Sequence, residues 1–508
     1  MAEWLKKAVF YEVYPNSFMD SNGDGYGDFI GIKEKLQYIK DLGFNAIWIN
    51  PCFDSPFMDG GYDIRDYFKP SERYGSMEEM DEMLDEAKKL GIKVILDLVA
   101  GHTSEENEMF IKSGLPERNE YSGRYIWTNS VWAWYNTYRL VYGRHQRNGA
   151  FMSNFFSFQP ALNYGFKNIT EPAWQMHYKD GECIKTREWL ISVINFWLSK
   201  GYDGFRVDMA DSLVKNDEDK SATIEVWQYI FAKVKTAYPE SVFVSEWSDS
   251  EKAMEAGFDA DFYLDQKDNG YHNLLRRYAE GKNLSFFDRE GKGDISRFVY
   301  DYLRRFLPTK KGGLISFITG NHDITRISEY YTMHELKLIY ATLFTFPGVP
   351  FMYYGDEIGM KQQCVIAKEG GYERCGCRTP MQWDNSKNKG FSNANELFLP
   401  VDNNENAPTV AAQLLDKDSL LNCVKDIIKL RMSDDAFTSS DFEVMYSESG
   451  KFPFVYKRGK YFIVVNPGLK NEKIPLNESI NAVFSIGISA VISNEMLIVP
   501  PQSFTILK

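Results

Sequence analysis

The sequence predicts an α/β fold: a closed (β/α)8 TIM barrel with a small domain inserted after the third strand and an antiparallel β domain at the C-terminus. Three observations point there. The segments KDLGFNAIWINP (40–51), KKLGIKVILDLV (88–99) and LSKGYDGFRVDM (198–209) repeat one unit. Each has an amphipathic helix, a Gly where that helix must end left-handed, and a short apolar strand. Further apolar runs bring the count to eight strands, each followed by a helix, the number that closes a barrel. An open doubly wound sheet also alternates strand and helix, but no G-x-G-x-x-G sits at a strand-to-helix turn here.

The elements follow in order. VFYEVYPNSF (9–18) is the first strand, and the polar turn DSNGDGYGD (20–28) leaves it. Ile32, Leu36, Ile39 and Leu42 then fall on one helical face. The second strand lies in 40–51, and Ser76-Met77-Glu78-Glu79 is a capping box that opens the next helix. After the third strand in 88–99, a long aromatic stretch carries Trp127, Trp132, Trp134, Tyr135, Tyr138, Phe151, Phe155 and Phe156. It is too long for a plain loop and is expected to overhang the barrel mouth as a domain of its own. A helix over 186–200 leads to the fourth strand. Strands at 241–247, 260–265, 313–323 and 349–360 complete the set, with helices at 221–238, 296–306, 333–346 and 418–432. Beyond Arg431 the runs FPFVYKRG, KYFIVVNPG and SFTILK alternate as antiparallel strands do. The expected domains are a barrel over 1–102 and 171–434, an insertion over 103–170, and a β-sandwich over 435–508.

At 508 residues the chain exceeds one ordinary core, which a barrel with added domains absorbs. The net charge of -13 argues against nucleic acid, whose phosphates need a basic surface. MAEWLKKAVFYEVY has no apolar run followed by a small-residue cleavage site, and no segment reaches membrane-spanning length. The expectation is a cytoplasmic protein with no membrane partner, a monomer or weak homo-oligomer. The six cysteines are scattered and read as reduced thiols.

In such a barrel, chemistry gathers at the C-terminal strand ends. Here those ends are charged: Asp97 and His102 on the third strand, Arg206 and Asp208 on the fourth, Glu246 on the fifth, His322 and Asp323 on the seventh. Neighbouring strands are about 4.8 Å apart, so Asp208 and Glu246 can face each other at roughly the 5–5.5 Å of a retaining glycosidase pair. Arg206 points to the same side as Asp208 and is expected to keep it ionised. Glu246, after an apolar run and before Trp247, has surroundings that favour a protonated acid. In DSNGDGYGD, Asp20, Asn22, Asp24 and Gly25 match the first half of a calcium loop, but position twelve is Gly31 and no helix is expected before Asp20. A metal loop and a plain polar turn both remain open on these residues.

These motifs resemble the α-amylase family of glycoside hydrolases, in order and over nearly the whole chain. DLVAGH (97–102), GFRVDMA (204–210), SEW around Glu246 and FITGNHD (317–323) look like its four motifs. The resemblance implies Asp208 as nucleophile, Glu246 as general acid/base and Asp323 as transition-state stabiliser. It also implies that His102, His322 and Arg206 bind the sugar, with Tyr62 stacking on it. RTPMQWD (378–384) is similar to the oligosaccharide-cleaving α-glucosidase branch, which also holds trehalose-forming and sucrose-isomerising relatives. In that branch Asp20, Asn22, Asp24, Tyr26 and Asp28 would hold one structural Ca2+ or Mg2+ away from the chemistry. Asp63 and Arg374 would pair and grip the terminal glucose of a short oligosaccharide substrate, making the enzyme exo-acting. Gly101 and Ala161 stand where the family's second calcium site has oxygen ligands, so that site is expected to be absent. Met209 follows the nucleophile where relatives carry Val, Ala or Thr, leaving linkage preference open. The alternatives are a glucosyltransferase or isomerase of the same family, and a non-catalytic scaffold, which would lack the acidic trio and carry a membrane anchor.

Overall fold

The computed structural model describes every residue except 267–268, 280–281, 291–292, 311, 367, 370–371 and 479. Eight strands form a closed parallel barrel: Phe10–Val13 (β1), Ala46–Ile49 (β2), Lys93–Val99 (β3), Gly204–Asp208 (β4), Val242–Ser245 (β5), Ala260–Phe262 (β6), Leu314–Ile318 (β7) and Val349–Tyr353 (β8). The strands pair in sequence order, and β8 closes on β1 through Phe10↔Phe351. The helices that follow them are Phe29–Leu42 (α1), Met77–Lys89 (α2), Gly181–Lys200 (α3), Ser221–Ala237 (α4), Ser250–Ala256 (α5), Ile295–Thr309 (α6), Met333–Thr345 (α7) and Leu420–Ser433 (α8).

Local chemistry sets the boundaries. Ser76 and Glu79 close the capping box of α2, and Gly43 ends α1 at φ 100°, where a side chain would be strained. The first strand is shorter than the sequence suggested. Pro15, with its φ fixed near helical values, starts a single helical turn, Pro15–Phe18, so a helix does precede Asp20. Phe10, Trp48, Ile95, Val244, Phe262 and Phe351 form a dry plug inside the barrel, with Phe10 stacked on Phe351 at 4.3 Å. This plug is the floor on which the charged strand ends sit.

Residues 103–170 carry a short helix, Glu108–Ser113, and the hairpin Leu140–Tyr142 with Ala150–Met152, packed on Ile126, Ala161, Phe166 and Trp174. Beyond α8 the chain forms antiparallel sheets of five and three strands. Arg458 ties the larger sheet to the barrel through the carbonyl of Thr345 at the end of α7, and to the connecting segment through carbonyls of Ala436 and Ser439. Among the described residues no helix is long and apolar enough to cross a membrane.

Candidate active site

Register places the acids. β4 pairs with β3 through Asp97↔Arg206 and Val99↔Asp208, and with β5 through Val207↔Ser245. One residue further along the last pairing, Asp208 and Glu246 stand side by side. Arg206 lies beneath them, wholly buried, and serves three carboxylates. Its Nη1 donates to Asp97 Oδ1 at 2.9 Å and to Asp208 Oδ1 at 3.2 Å, and its Nη2 to Glu246 Oε2 at 2.7 Å. Met209 adopts the left-handed region (φ 43°), which turns its N–H back onto Glu246 Oε2 at 3.0 Å. A strained residue next to a reactive one is characteristic of functional sites.

A second group forms on the opposite side. The Tyr62 ring stacks on His322 (centroids 5.2 Å apart), and its hydroxyl lies 2.9 Å from Asp97 Oδ2 and 2.6 Å from His322 Nε2. Asp323 Oδ1 accepts from Arg374 Nη1 at 2.7 Å and Arg378 Nη2 at 3.2 Å. His102 bonds the Tyr62 carbonyl through Nε2 at 3.1 Å. Asp59, Tyr62, His102, Phe155, Asp208, Glu246, Asp323 and Arg374 line one cavity of about 300 Å3.

One expected partnership is corrected. Asp63 does not meet Arg374; it is wholly buried and points into its own loop, accepting from Ser55 Oγ at 3.1 Å, Met58 N at 2.9 Å and Asp59 N at 3.0 Å. These three donors fix the carboxylate inside its own loop and turn it away from the cavity. Arg374 Nη2 instead binds Asp59 Oδ1 at 2.5 Å, and Gln159 holds the other Asp59 oxygen at 2.8 Å. Sequence reasoning missed Asp59. The signal was the acid before paired glycines, both at positive φ, which present it at the rim.

The electrostatics separate the acids. Burial, then the charge of Glu246, pushes Asp208 well above the usual carboxylate range. The Arg206 guanidinium, divided among three acids, opposes both and favours the ionised form. Burial also raises Asp97, to about 6. Asp323 goes the other way. Burial opposes its charge, but the Arg374 and Arg378 guanidinium groups outweigh burial and hold it well below the ordinary value. Burial takes His102 down to about 4, so that ring is neutral.

A family model described as Alpha amylase, catalytic domain, matches residues 12–440. The chain belongs to the alpha-amylase family. Among relatives of this glycoside hydrolase, an oligo-1,6-glucosidase of Heyndrickxia coagulans is 31% identical over 515 residues, covering 90% of each chain. A glucan 1,6-alpha-glucosidase of Streptococcus pneumoniae is 29% identical, covering 93% of this chain and 92% of its own. A trehalose synthase/amylase of Mycolicibacterium smegmatis is 30% identical, covering 86% and 78%. The solved trehalulose synthase of Pseudomonas mesoacidophila shares the fold, with TM-score 0.83 at 24% identity over 100% of both chains.

In this member of the family the room beside Gly101 is taken: a Cβ there would meet Asn154 Nδ2 at 2.7 Å. Lys215 Nζ bonds the same Asn154 side chain at 2.9 Å. In the opening loop, Asp20 is buried and accepts from Gly23 N at 2.6 Å, Gly25 N at 2.8 Å and Ser392 Oγ at 2.5 Å. Asp28 caps α1 through Gly31 N. Asn22 and Asp24 are exposed, and the Tyr26 ring packs on Phe398. The donors are all hard oxygens, the chemistry calcium and magnesium take. Among the described residues, no three acidic, His or Cys side chains already converge as a metal cage does.

Proposed function

We propose that this chain is a retaining, exo-acting α-glucosidase of short oligosaccharides. The observation that carries it is one cavity in which Asp208 and Glu246 share Arg206 while Arg374, bound to Asp59 and Asp323, walls off the far side. Asp208 attacks the anomeric carbon as Glu246 gives its proton to the departing oxygen, leaving a glucosyl ester on Asp208. Water then gives its proton to Glu246, attacks the same carbon and frees Asp208. Two inversions restore the α configuration. Asp323, held anionic by its cations, stabilises the positive charge that develops on the ring. Tyr62 and His322 offer the sugar a stacked pair of rings, and neutral His102 a polar edge.

Proton NMR of the first product tests this: the α anomer must appear first, and an initial β anomer overturns the mechanism. The relative named for trehalose synthesis supports a second reading, in which another sugar replaces water as acceptor. Product analysis on maltose, isomaltose, trehalose and sucrose separates the two and settles the linkage that Met209 leaves open. We also propose that Asp20, Asn22, Asp24, Tyr26 and Asp28 hold one structural Ca2+ or Mg2+, remote from the sugar.

A further inference from the structure

Glu12 lies on β1, in register with Trp48 and Tyr353, and is wholly buried inside the barrel. The mechanism above does not use it. Its Oε1 is 2.9 Å from His322 Nδ1, while its Oε2 has no hydrogen-bond partner. Asn50, at the end of β2, reaches the same Nδ1 with its amide nitrogen at 3.0 Å. On the far side of the ring, Nε2 faces the Tyr62 hydroxyl at 2.6 Å and Asp323 Oδ2 at 3.4 Å.

Counting protons decides how these atoms are arranged. Burial drives the His322 ring well below its ordinary pKa, so it is neutral and carries one N–H. The Tyr62 proton is claimed by Asp97 Oδ2 at 2.9 Å, which leaves the Tyr62 oxygen as an acceptor for Nε2–H. A neutral ring that carries its one proton on Nε2 has a bare Nδ1 with a single lone pair. Asn50 also hydrogen-bonds Glu12, which leaves that lone pair for Glu12 at 2.9 Å. A carboxylate oxygen facing a bare Nδ1 would set lone pair against lone pair, whereas a protonated carboxyl donates to it. Burial favours the protonated form and outweighs the Asn50 hydrogen bond and the Arg206 charge that oppose it, with Asp97 and Asp323 adding negative charge and one carboxyl oxygen left unpaired.

We propose that Glu12 is a positioning residue, a neutral carboxylic acid whose O–H fixes both the orientation and the Nε2–H tautomer of His322. The ring then turns a donor, not a lone pair, towards the Tyr62 oxygen and Asp323, and so holds the Tyr62 ring that lines the cavity. In the opposite tautomer, bare Nε2 would repel the Asp323 anion and could not donate to Tyr62. The inference rests on the glucosidase reading for its kinetic readout alone.

The test is nitrogen NMR of the full chain labelled at its six histidines, with the His322 signal assigned by its loss in His322→Asn. The expected spectrum has a protonated Nε2 and an unprotonated Nδ1. Glu12→Gln, whose amide can donate in the same place, should keep that tautomer and hold kcat/KM within about threefold. Glu12→Met has similar length and no donor; it should mix the tautomers and lower kcat/KM about tenfold or more, chiefly through kcat. A wild-type ring protonated at Nδ1, as a flipped Asn50 amide would produce, overturns the proposal. So does a Met variant that keeps both tautomer and rate. If the Met variant does not fold, the wild-type spectrum decides alone. A chain inactive on every glucoside would defeat the glucosidase reading and leave the tautomer measurement standing.

Discussion

Arg374 Nη2 lies 2.5 Å from Asp59 Oδ1, joining the loop after β2 to the segment after β8 across the mouth of the cavity. Both side chains are largely buried, and Arg374 also holds Asp323 at 2.7 Å. An extended chain passing this point would strip the pair of its bonds and strand two charges. Arg374→Ala and Asp59→Ala are each expected to lower kcat/KM for a disaccharide about tenfold, or ~1.4 kcal/mol of transition-state binding. Wild-type enzyme should release glucose and leave starch viscosity almost unchanged; an early fall in viscosity before glucose appears would show internal cutting and defeat the exo model.

Asp63, relieved of the sugar-gripping role, becomes a stability residue. Removing its carboxylate in Asp63→Ala takes the acceptor from the buried Asp59 N–H and the half-buried Met58 N–H, a loss of about 3 kcal/mol, readable by denaturant titration. The pH dependence has a definite direction. Burial raises this carboxyl to about 6 from 3.8, so between those values the folded state holds a proton that the unfolded state releases. That contribution is full below pH 4 and is lost as pH rises through 6. The stability gap between wild type and Asp63→Asn should therefore be wider at pH 4 than at pH 7, by roughly 3 kcal/mol at most. A gap that widens with pH would contradict the burial argument.

The contrast between Asp63 and Asp59 shows where sequence stops being informative. Strand and helix order is carried by periodicity and by glycines such as Gly43 and Gly201, so the barrel was legible. The strand-end acids were legible too, because register on adjacent parallel strands follows from the repeat: Val207↔Ser245 sets Asp208 beside Glu246. Which of two acids four residues apart turns outwards depends instead on where a loop's N–H groups find acceptors, and no spacing encodes that. The sharing of Arg206 was hidden for a related reason: the sequence shows one Arg two positions from Asp208, but the fold asks that Arg to serve Asp97 and Glu246 as well.

Asp208 must be ionised to attack, so it carries the acid limb of the pH profile. In Glu246→Gln the negative charge that helps to raise Asp208 is gone, so the Asp208 pKa falls. A nucleophile with a lower pKa stays ionised to lower pH. With an activated donor such as α-glucosyl fluoride, which needs little help from an acid, the acid limb of kcat/KM in this variant should shift to lower pH. Turnover of an ordinary disaccharide should drop about a thousandfold. An acid limb that stays in place would show that Glu246 does not act on Asp208.

The opening loop allows a metal effect to be separated from an effect of folding alone. Its buried half is already committed: Asp20 ties Gly23, Gly25 and Ser392, and Asp28 caps α1, so Asp20→Ala should lower the melting temperature with or without metal. Its exposed half is not. Asp24 Oδ1 accepts one short-range bond, from Tyr26 N at 2.9 Å, and Asn22 Oδ1 one from Asp24 N at 2.9 Å, each worth little at the surface. Asp24→Ala therefore costs much only if Asp24 also ligates an ion. The expected outcome is a melting temperature that rises with added calcium or magnesium in wild type, by mass action on the folded state. Chelator should reverse that rise, and Asp24→Ala should abolish it. The rate per folded molecule should stay within about twofold throughout, because every proposed ligand lies in one turn outside the sugar cavity. If Asp24→Ala leaves both the melting temperature and the metal content unchanged, the loop is a polar turn held by its own N–H groups and no ion binds there.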